Sequence, residues 1–564
     1  MKRFLQWVGS LLCALLVVAA YAQNPQLFDT GAASTPDAQA VPAAAATSTS
    51  AIQMIDFNRN LVPAELDDDY RTTYEIFVSS FCDSDGDGTG DLNGIRSKLD
   101  YISELGFDQI WLTPVHPSAT YHKYDVDDYC AIDPSFGTMG DYEALLADCH
   151  GRGIRVLLDL VLNHTSDTHP WFVAASDYLR TLPADKDPVF EECPYVWYYT
   201  FSREQYDGFV PLEGTSWYYE ARFWSEMPDL NLGNDVVRNE VRDIVRFWLD
   251  KGVDGFRLDA VTSYVTEDTA ANAEFLRYLA DTCRSIDPDC YLVGEAWTDQ
   301  SSISALYGSG IDSLFEFPFA GPDGVISQVM SGRAPASDYV RAMMGAEAAY
   351  AGANPAYVGA PFYTNHDTAR SASYYPQDGG PVTKMAYALS LLMPGDSFVY
   401  YGEELGMEGS GKDENKRAPM YWSSDAGAEG MCSGPAGIDG PQHKFASLED
   451  QRSDDLSLWR WFAEVIRVRR AFPAIARGKT EMVEGLSDAD VAAFFRRSAS
   501  DGDVLVVMNL RDHAAERDLS QAAGGFELSA VLGTSEERIT YENGRLSLPA
   551  YSIAVLTQNQ SFID

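Results

Sequence analysis

Basic side chains are scarce in this chain. Lys and Arg number 41 against 84 Asp and Glu, a formal net charge of −43. Such a surface repels phosphate backbones and anionic bilayers, which excludes nucleic-acid binding and acidic-lipid attachment as main roles. After the first twenty or so residues no run is apolar enough to span a membrane. No Cys-x-x-Cys pair occurs, so a zinc or dithiol redox site is not indicated. There is no internal repeat. What remains is ordinary globular composition, 46% apolar and 22% charged over 564 residues. That length suggests about three domains, of which a large α/β barrel could take two shares.

The N-terminus reads as an export signal over residues 1–22. Lys2 and Arg3 precede an apolar run from Val8 to Ala20, and Ala20-Tyr21-Ala22 is a small-x-small cleavage site. Secretion without a stable membrane anchor is therefore expected. Removal of the signal takes Cys13 with it and leaves seven cysteines, an odd number with at least one free thiol. Cys283 and Cys290 are close enough in sequence to pair, but buried free thiols are an equal alternative. Residues 23–62, rich in Ala, Ser, Thr, Pro and Gln, read as a flexible linker, with order beginning near Tyr74.

From there, short β-branched runs alternate with helical patterns. The runs are Tyr74–Ser79, Phe107–Thr113, Ile154–Leu160, Val253–Leu258, Tyr291–Gly294, Ser313–Phe317, Pro361–Thr364 and Ser397–Tyr401. Eight strand–helix units predict a closed parallel (β/α)8 barrel, split into a first part (63–162) and a second part (227–474). The interval 163–226 is too long for one helix and reads as a domain inserted after the third strand. Its aromatic segments Tyr195–Phe201 and Trp217–Trp224 are expected to form that domain's own core. Residues 475–564 change to short strands and turns, predicting a C-terminal antiparallel β-sandwich.

Polar residues cluster at the ends of the barrel strands: Asp159 and Asn163-His164, Arg257-x-Asp259, Gly294-Glu295, and Asn365-His366-Asp367. In such a barrel these ends line one mouth, so acids far apart in sequence converge. A convergent carboxylate set without a phosphate-cradling glycine loop suits cleavage of a glycosidic bond.

These segments also carry a family resemblance. DLVLNH (159–164), GFRLDAV (255–261), VGEAW (293–297) and FYTNHD (362–367) resemble, in order and spacing, the four main sequence regions of glycoside hydrolase family 13, the α-amylase family. MPDLN (227–231) resembles the fifth region, and SATYHKYDVDDY (118–129) the substrate-binding segment after the second strand. The resemblance implies Asp259 as nucleophile, Glu295 as acid/base and Asp367 as the residue gripping sugar hydroxyls around the transition state. It implies His122, Tyr124, His164, Arg257 and His366 as substrate-binding residues, with Tyr124 stacking on the sugar and Arg257 keeping Asp259 ionised. Double displacement would retain the α anomer. The pattern lies between oligo-1,6-glucosidase-like and neopullulanase-like members.

Asp83, Asp85, Asp87, Thr89 and Asp91, with Gly88 at the turn, imitate the first nine positions of an EF-hand loop. Position twelve is Gly94 rather than Glu, and a strand precedes the loop, so an EF-hand is rejected. A structural Ca2+ is the expected cofactor. The family's usual interdomain calcium site is in doubt, because Thr262-Ser263 and Asn231 replace residues associated with it. Exo-acting relatives commonly carry Asp three residues before the stacking Tyr; here Tyr121 stands there, followed by His122, which implies an open cleft. Ala260 after the nucleophile resembles α-1,4-specific members. The expected activity is endo-hydrolysis of α-1,4-glucans such as starch and maltooligosaccharides by a monomer. A 4-α-glucanotransferase and an oligosaccharide α-glucosidase are the alternatives within the family; a non-catalytic amylase-like binding protein is the alternative outside it.

Overall fold

The computed structural model describes residues 52–266, 268–440 and 443–558. The export signal and most of the expected linker lie outside the described residues.

Eight parallel strands form the central sheet: β1 (Thr72–Ile76), β2 (Gln109–Leu112), β3 (Arg155–Leu160), β4 (Gly255–Leu258), β5 (Tyr291–Gly294), β6 (Ser313–Phe315), β7 (Val358–Ala360) and β8 (Ser397–Tyr400). Each pairs with its sequence neighbour except β7 and β8, and β8 pairs with β1. A single parallel bridge, Phe362 to Phe398, spans the remaining gap and closes the barrel. The seventh strand was expected at Pro361–Thr364 but ends at Ala360. Pro361 has no N–H to continue the ladder, and its carbonyl instead accepts from Phe398 N at 2.9 Å. Between strands run amphipathic helices such as Asp235–Lys251, capped by Asn234 and closed by Gly252 at φ 99°. Trp111, Leu157, Val293, Phe315, Phe362 and Phe398 fill the barrel's interior as one apolar cluster.

The insertion after β3 holds the helix Pro170–Thr181 and a small sheet of Phe201–Ser202, Tyr218–Glu220 and Phe209–Pro211. Phe172 packs edge-on against Tyr199 (5.1 Å) and Tyr219 (4.9 Å), so most of the aromatic segments form a core. The end of the second segment does not: Phe223 is 54% exposed and Trp224 44%.

After the barrel, β9 (Lys479–Met482), β10 (Val491–Arg497), β11 (Val504–Asn509), β12 (Ala515–Asp518), β13 (Phe526–Gly533), β14 (Thr540–Glu542), β15 (Arg545–Leu548) and β16 (Ser552–Gln558) build two antiparallel sheets. The larger has the order β9-β10-β11-β16-β13, the smaller β12-β15-β14.

The linker expectation needs correction at its end. Residues Gln53–Asn58 form a helix with Met54 and Asn58 buried. The Asn58 side chain donates to Val531 O (2.8 Å) and accepts from Val531 N (3.1 Å). Gln53 makes the same two-way contact with Ile539, at 2.8 Å each way. Side-chain amides thus occupy backbone groups that the outermost strand, β13, and the turn after it would leave unpaired. All seven cysteines of the described residues are free, six buried and Cys130 exposed, so the Cys283–Cys290 disulfide is absent.

Candidate active site

Asp159 and Arg257 are register partners on β3 and β4, so their side chains share one face of the sheet. Two residues on, Asp259 leaves β4 on that same side. Arg257 is fully buried and acts as a hub. Its Nη1 donates to both oxygens of Asp159 (2.9 and 3.1 Å) and to Asp259 Oδ1 (2.6 Å). Its Nη2 lies 3.0 Å from Glu295 Oε1. Two acids from adjacent strand ends are therefore held on the two nitrogens of one guanidinium. Ala260, between them, takes the left-handed conformation (φ 47°), costly for a residue with a Cβ. That turn aims its N–H at Glu295 Oε2, 3.0 Å away.

A second hub is His366. Its Nδ1 lies 2.6 Å from Glu75 Oε1, and its Nε2 lies 2.8 Å from Tyr124 Oη and 3.2 Å from Asp367 Oδ2. Burial disfavours the imidazolium, but Asp367 and Glu75 overcome it and lift the pKa to about 10. With both ring nitrogens protonated, His366 donates to Glu75 and to Tyr124, leaving the Tyr124 hydroxyl to donate to Asp159 Oδ2 at 2.9 Å. The Tyr124 ring lies parallel to the His366 ring (5.2 Å, 12°). Asp367 is also held by Arg417, whose Nη2 donates to its Oδ1 at 2.6 Å while Nη1 donates to Tyr121 Oη at 2.6 Å.

The acids differ in charge preference. Burial pushes Asp259 up to about 6, against the opposing pull of Arg257. The same burial raises Glu295, with Arg257 again opposing and Asp259 adding to the rise. Asp367 goes the other way: burial is outweighed by His366 and Arg417, which hold it well below the usual carboxylate range. Arg257 thus moderates, and does not cancel, the effect of burial on Asp259. At neutral pH Asp259 and Asp367 are ionised.

His164 is buried, and burial lowers its pKa to about 4. Its Nε2 meets Tyr124 O at 3.2 Å, and its ring packs against exposed Phe223 at 5.4 Å. The ring of His122 lies at the same rim, its Nδ1 accepting from Tyr124 N at 3.1 Å. Burial and Arg417 lower its pKa. All eight residues named from the sequence for catalysis and substrate binding therefore connect through contacts around one mouth. Sequence reasoning missed Glu75 and Arg417. Glu75 left a signal, a lone acid inside an apolar strand; Arg417 sits in a loop after β8 with no motif around it.

The acidic loop is gathered only in part. Among the described residues, Asp83, Asp85 and Asp91 alone form a group of three or more acidic, His or Cys side chains with ligand atoms within 4.8 Å of one another. Asp87, whose carboxylate accepts from Thr89 N at 2.7 Å, is not in that group. Asp91 caps the helix Leu92–Ser97 through Gly94 N (2.8 Å). A side chain at position 94 would run into Cys82 O, a clash at 1.9 Å for its Cβ, so the twelfth EF-hand ligand has no room.

Comparison with known proteins agrees with this arrangement. The α-amylase catalytic-domain model matches residues 75–478. Alpha-amylase 3 of Dictyoglomus thermophilum is 37% identical over 443 residues, covering 78% of this chain and 84% of that protein. A probable oligo-1,6-glucosidase of Bacillus subtilis is 31% identical, covering 78% and 89%. The solved structure of Eubacterium rectale Amy13B superposes with a TM-score of 0.89 at 44% identity, covering 90% of this chain and 99% of that one. The α-amylase from H. orenii gives 0.76 at 33%, covering 87% and 100%. A barrel of this topology, an inserted subdomain after β3 and acids at the ends of β4, β5 and β7 thus come with matched family regions, and the chain belongs to glycoside hydrolase family 13, the α-amylase family.

Proposed function

We propose that this protein is a secreted α-amylase that cleaves internal α-1,4 bonds of starch and maltooligosaccharides with retention of configuration. The observation that carries the reading is the shared guanidinium, with Asp259 at 2.6 Å and Glu295 at 3.0 Å from Arg257. Asp259, ionised above about pH 6, attacks the anomeric carbon. Glu295, its pKa raised, gives its proton to the leaving oxygen, then takes one from the incoming water. Asp367, kept charged by His366 and Arg417, faces the positive charge that develops on the sugar ring.

The preference for internal bonds is supported at Tyr121. At the sequence position where exo-acting relatives commonly carry an Asp stands Tyr121, whose hydroxyl accepts from Arg417 Nη1 at 2.6 Å, so that position supplies no carboxylate to close a pocket. Maltoheptaose digestion tests this. A ladder of short maltooligosaccharides is the expected product; glucose alone would mean exo-action, and chains longer than seven units would mean a transferase. The α-amylase names of two of the four relatives above support the same reading, while the oligo-1,6-glucosidase keeps the exo alternative in play.

We further propose a structural Ca2+ at Asp83, Asp85 and Asp91. The donor set fits a hard cation, since three carboxylates converge. For Asp83, backbone N–H groups of Gly86 and Gly88 outweigh burial and favour the charged form. When bound, the ion would stiffen the loop after β1, beside the Ser433 segment that pairs with Gly88. Chelation is expected to lower the melting temperature by several degrees, and excess Ca2+ to restore it. An identical melting curve with and without chelator would remove the metal from this loop.

A further inference from the structure

We propose that Glu75 is a positioning residue for the reaction: from inside the barrel it holds the His366 ring in one orientation and doubly protonated, so that Asp367 and Tyr124 meet an N–H and not a lone pair. The inference rests on the retaining α-glucan reading above and adds to that site the residue that sets the alkaline end of its working range.

β1 runs Thr-Thr-Tyr-Glu-Ile, and strand alternation sends Thr73 and Glu75 to the same side. The Thr73 hydroxyl donates to Asp396 and accepts from Gln109, each at 2.8 Å. Gln109 in turn shares its side of β2 with Trp111, a member of the interior cluster. Glu75 therefore points into the barrel, one layer closer to the mouth than Thr73, and is only 1% exposed.

A carboxylate in that place is costly. Burial raises its pKa, and among the described residues its one ion pair is with His366. A neutral amide could meet the same N–H groups without desolvating a charge. What the acid adds is charge, and His366 receives it. Glu75 Oε1 lies 2.6 Å from His366 Nδ1 and 3.3 Å from His366 N, so one oxygen fixes both the ring and its backbone. An ionised Glu75 keeps the proton on Nδ1. Nε2 faces Tyr124 Oη at 2.8 Å and Asp367 Oδ2 at 3.2 Å. A neutral ring with its proton on Nδ1 would turn a lone pair on the Asp367 carboxylate, so this arrangement demands the second proton.

The surrounding charges divide by strand. Glu75 from β1, Asp159 from β3 and Asp367 beside the ring favour the imidazolium. Arg257 from β4, Arg417 after β8 and His122 after β2 oppose it. Trp111 from β2 offers an uncharged ring at 5.7 Å, and the hydroxyls of Tyr124 and of Tyr400 on β8 stay neutral because burial raises their pKa well above the usual value. Glu75 is thus the acid that reaches the far nitrogen, the one turned away from the sugar.

Glu75→Gln keeps the shape and removes the charge. Its amide can offer either oxygen or N–H to Nδ1, so the ring is free to give up a proton. Spectra of 15N-histidine-labelled protein read this directly. The wild type should show His366 doubly protonated at about pH 8.5, and Glu75→Gln should lose that signal as pH rises from about 6 to 9. On maltoheptaose, the ratio of wild-type to Glu75→Gln kcat should grow about tenfold over the same interval while KM changes less than about twofold. Glu75→Asp, which keeps the charge at a longer reach, should fall between the two. A wild-type His366 that loses a proton below about pH 8 overturns the proposal without any variant. A kcat ratio that does not vary with pH also overturns it, because a packing defect lowers kcat equally at every pH. If the wild type turns over no α-glucan, the retaining reading fails, and the spectra still decide the state of His366.

Discussion

Replacing Asp259 by Asn is expected to lower kcat on α-glucans by about four orders of magnitude or more while leaving the fold intact. The amide keeps the shape of the side chain and can still meet Arg257, but it cannot form the ester. Glu295→Gln should be as damaging on starch for a different reason, since it removes proton transfer in both steps. α-Maltosyl fluoride tells the two apart. Fluoride needs little protonation to leave, so Glu295→Gln should release up to one equivalent in a burst and then stall at the ester. Asp259→Asn should release none above background. A burst from Asp259→Asn, or wild-type turnover from either variant on starch, would contradict the assignment.

The second large effect belongs to Arg257. Three carboxylates, Asp159, Asp259 and Glu295, lie within 3.1 Å of its two terminal nitrogens in a buried site. Taking the cation away while leaving the acids costs about 3–5 kcal/mol, the usual penalty for an uncompensated buried charge. Arg257→Met should therefore melt several degrees lower at pH 7. The sign with pH follows from burial. Without the guanidinium, the folded-state pKa values of these acids rise further above their unfolded values near 4. Stability then falls as pH rises through that interval and is recovered as the acids take up protons on acidification. The deficit against wild type should be larger at pH 8 than at pH 5. The acid limb of kcat/KM should also move upward, because Asp259 loses the charge that opposes its desolvation. A deficit that grows on acidification would refute this account of the hub.

Much of this site was legible in the sequence because the candidate catalytic residues sit at strand ends. Asp159, Arg257, Asp259 and Glu295 each close a short β-branched run, and parallel strands in a barrel leave such positions only one mouth to share. The same logic applied to Glu75, whose inward direction follows from period-two alternation, yet a single acid in β1 announces neither its partner nor its charge state. Arg417 was not legible, since its role depends on where an irregular loop returns after β8. At the acidic loop, spacing marks five oxygen-bearing side chains but not which of their carboxylates converge, which are those of Asp83, Asp85 and Asp91. The segment before β1 looked too polar to fold, yet Ile52 and Met54 are buried in the core and the Gln53 and Asn58 side chains imitate a strand, a use of amides that hydrophobic patterning cannot register.

That imitation bears on how the protein can be shortened. The matched catalytic region starts at residue 75 and β1 at Thr72, so a chain trimmed ahead of that strand, after Asn60, would seem to lose only a tail. It would in fact strip the cover from Val531 and Ile539 and present β13 as a template for a second molecule. Such a trimmed enzyme should keep its chemistry yet self-associate as its concentration rises, making the short helix at Gln53–Asn58 a guard of solubility more than a spacer.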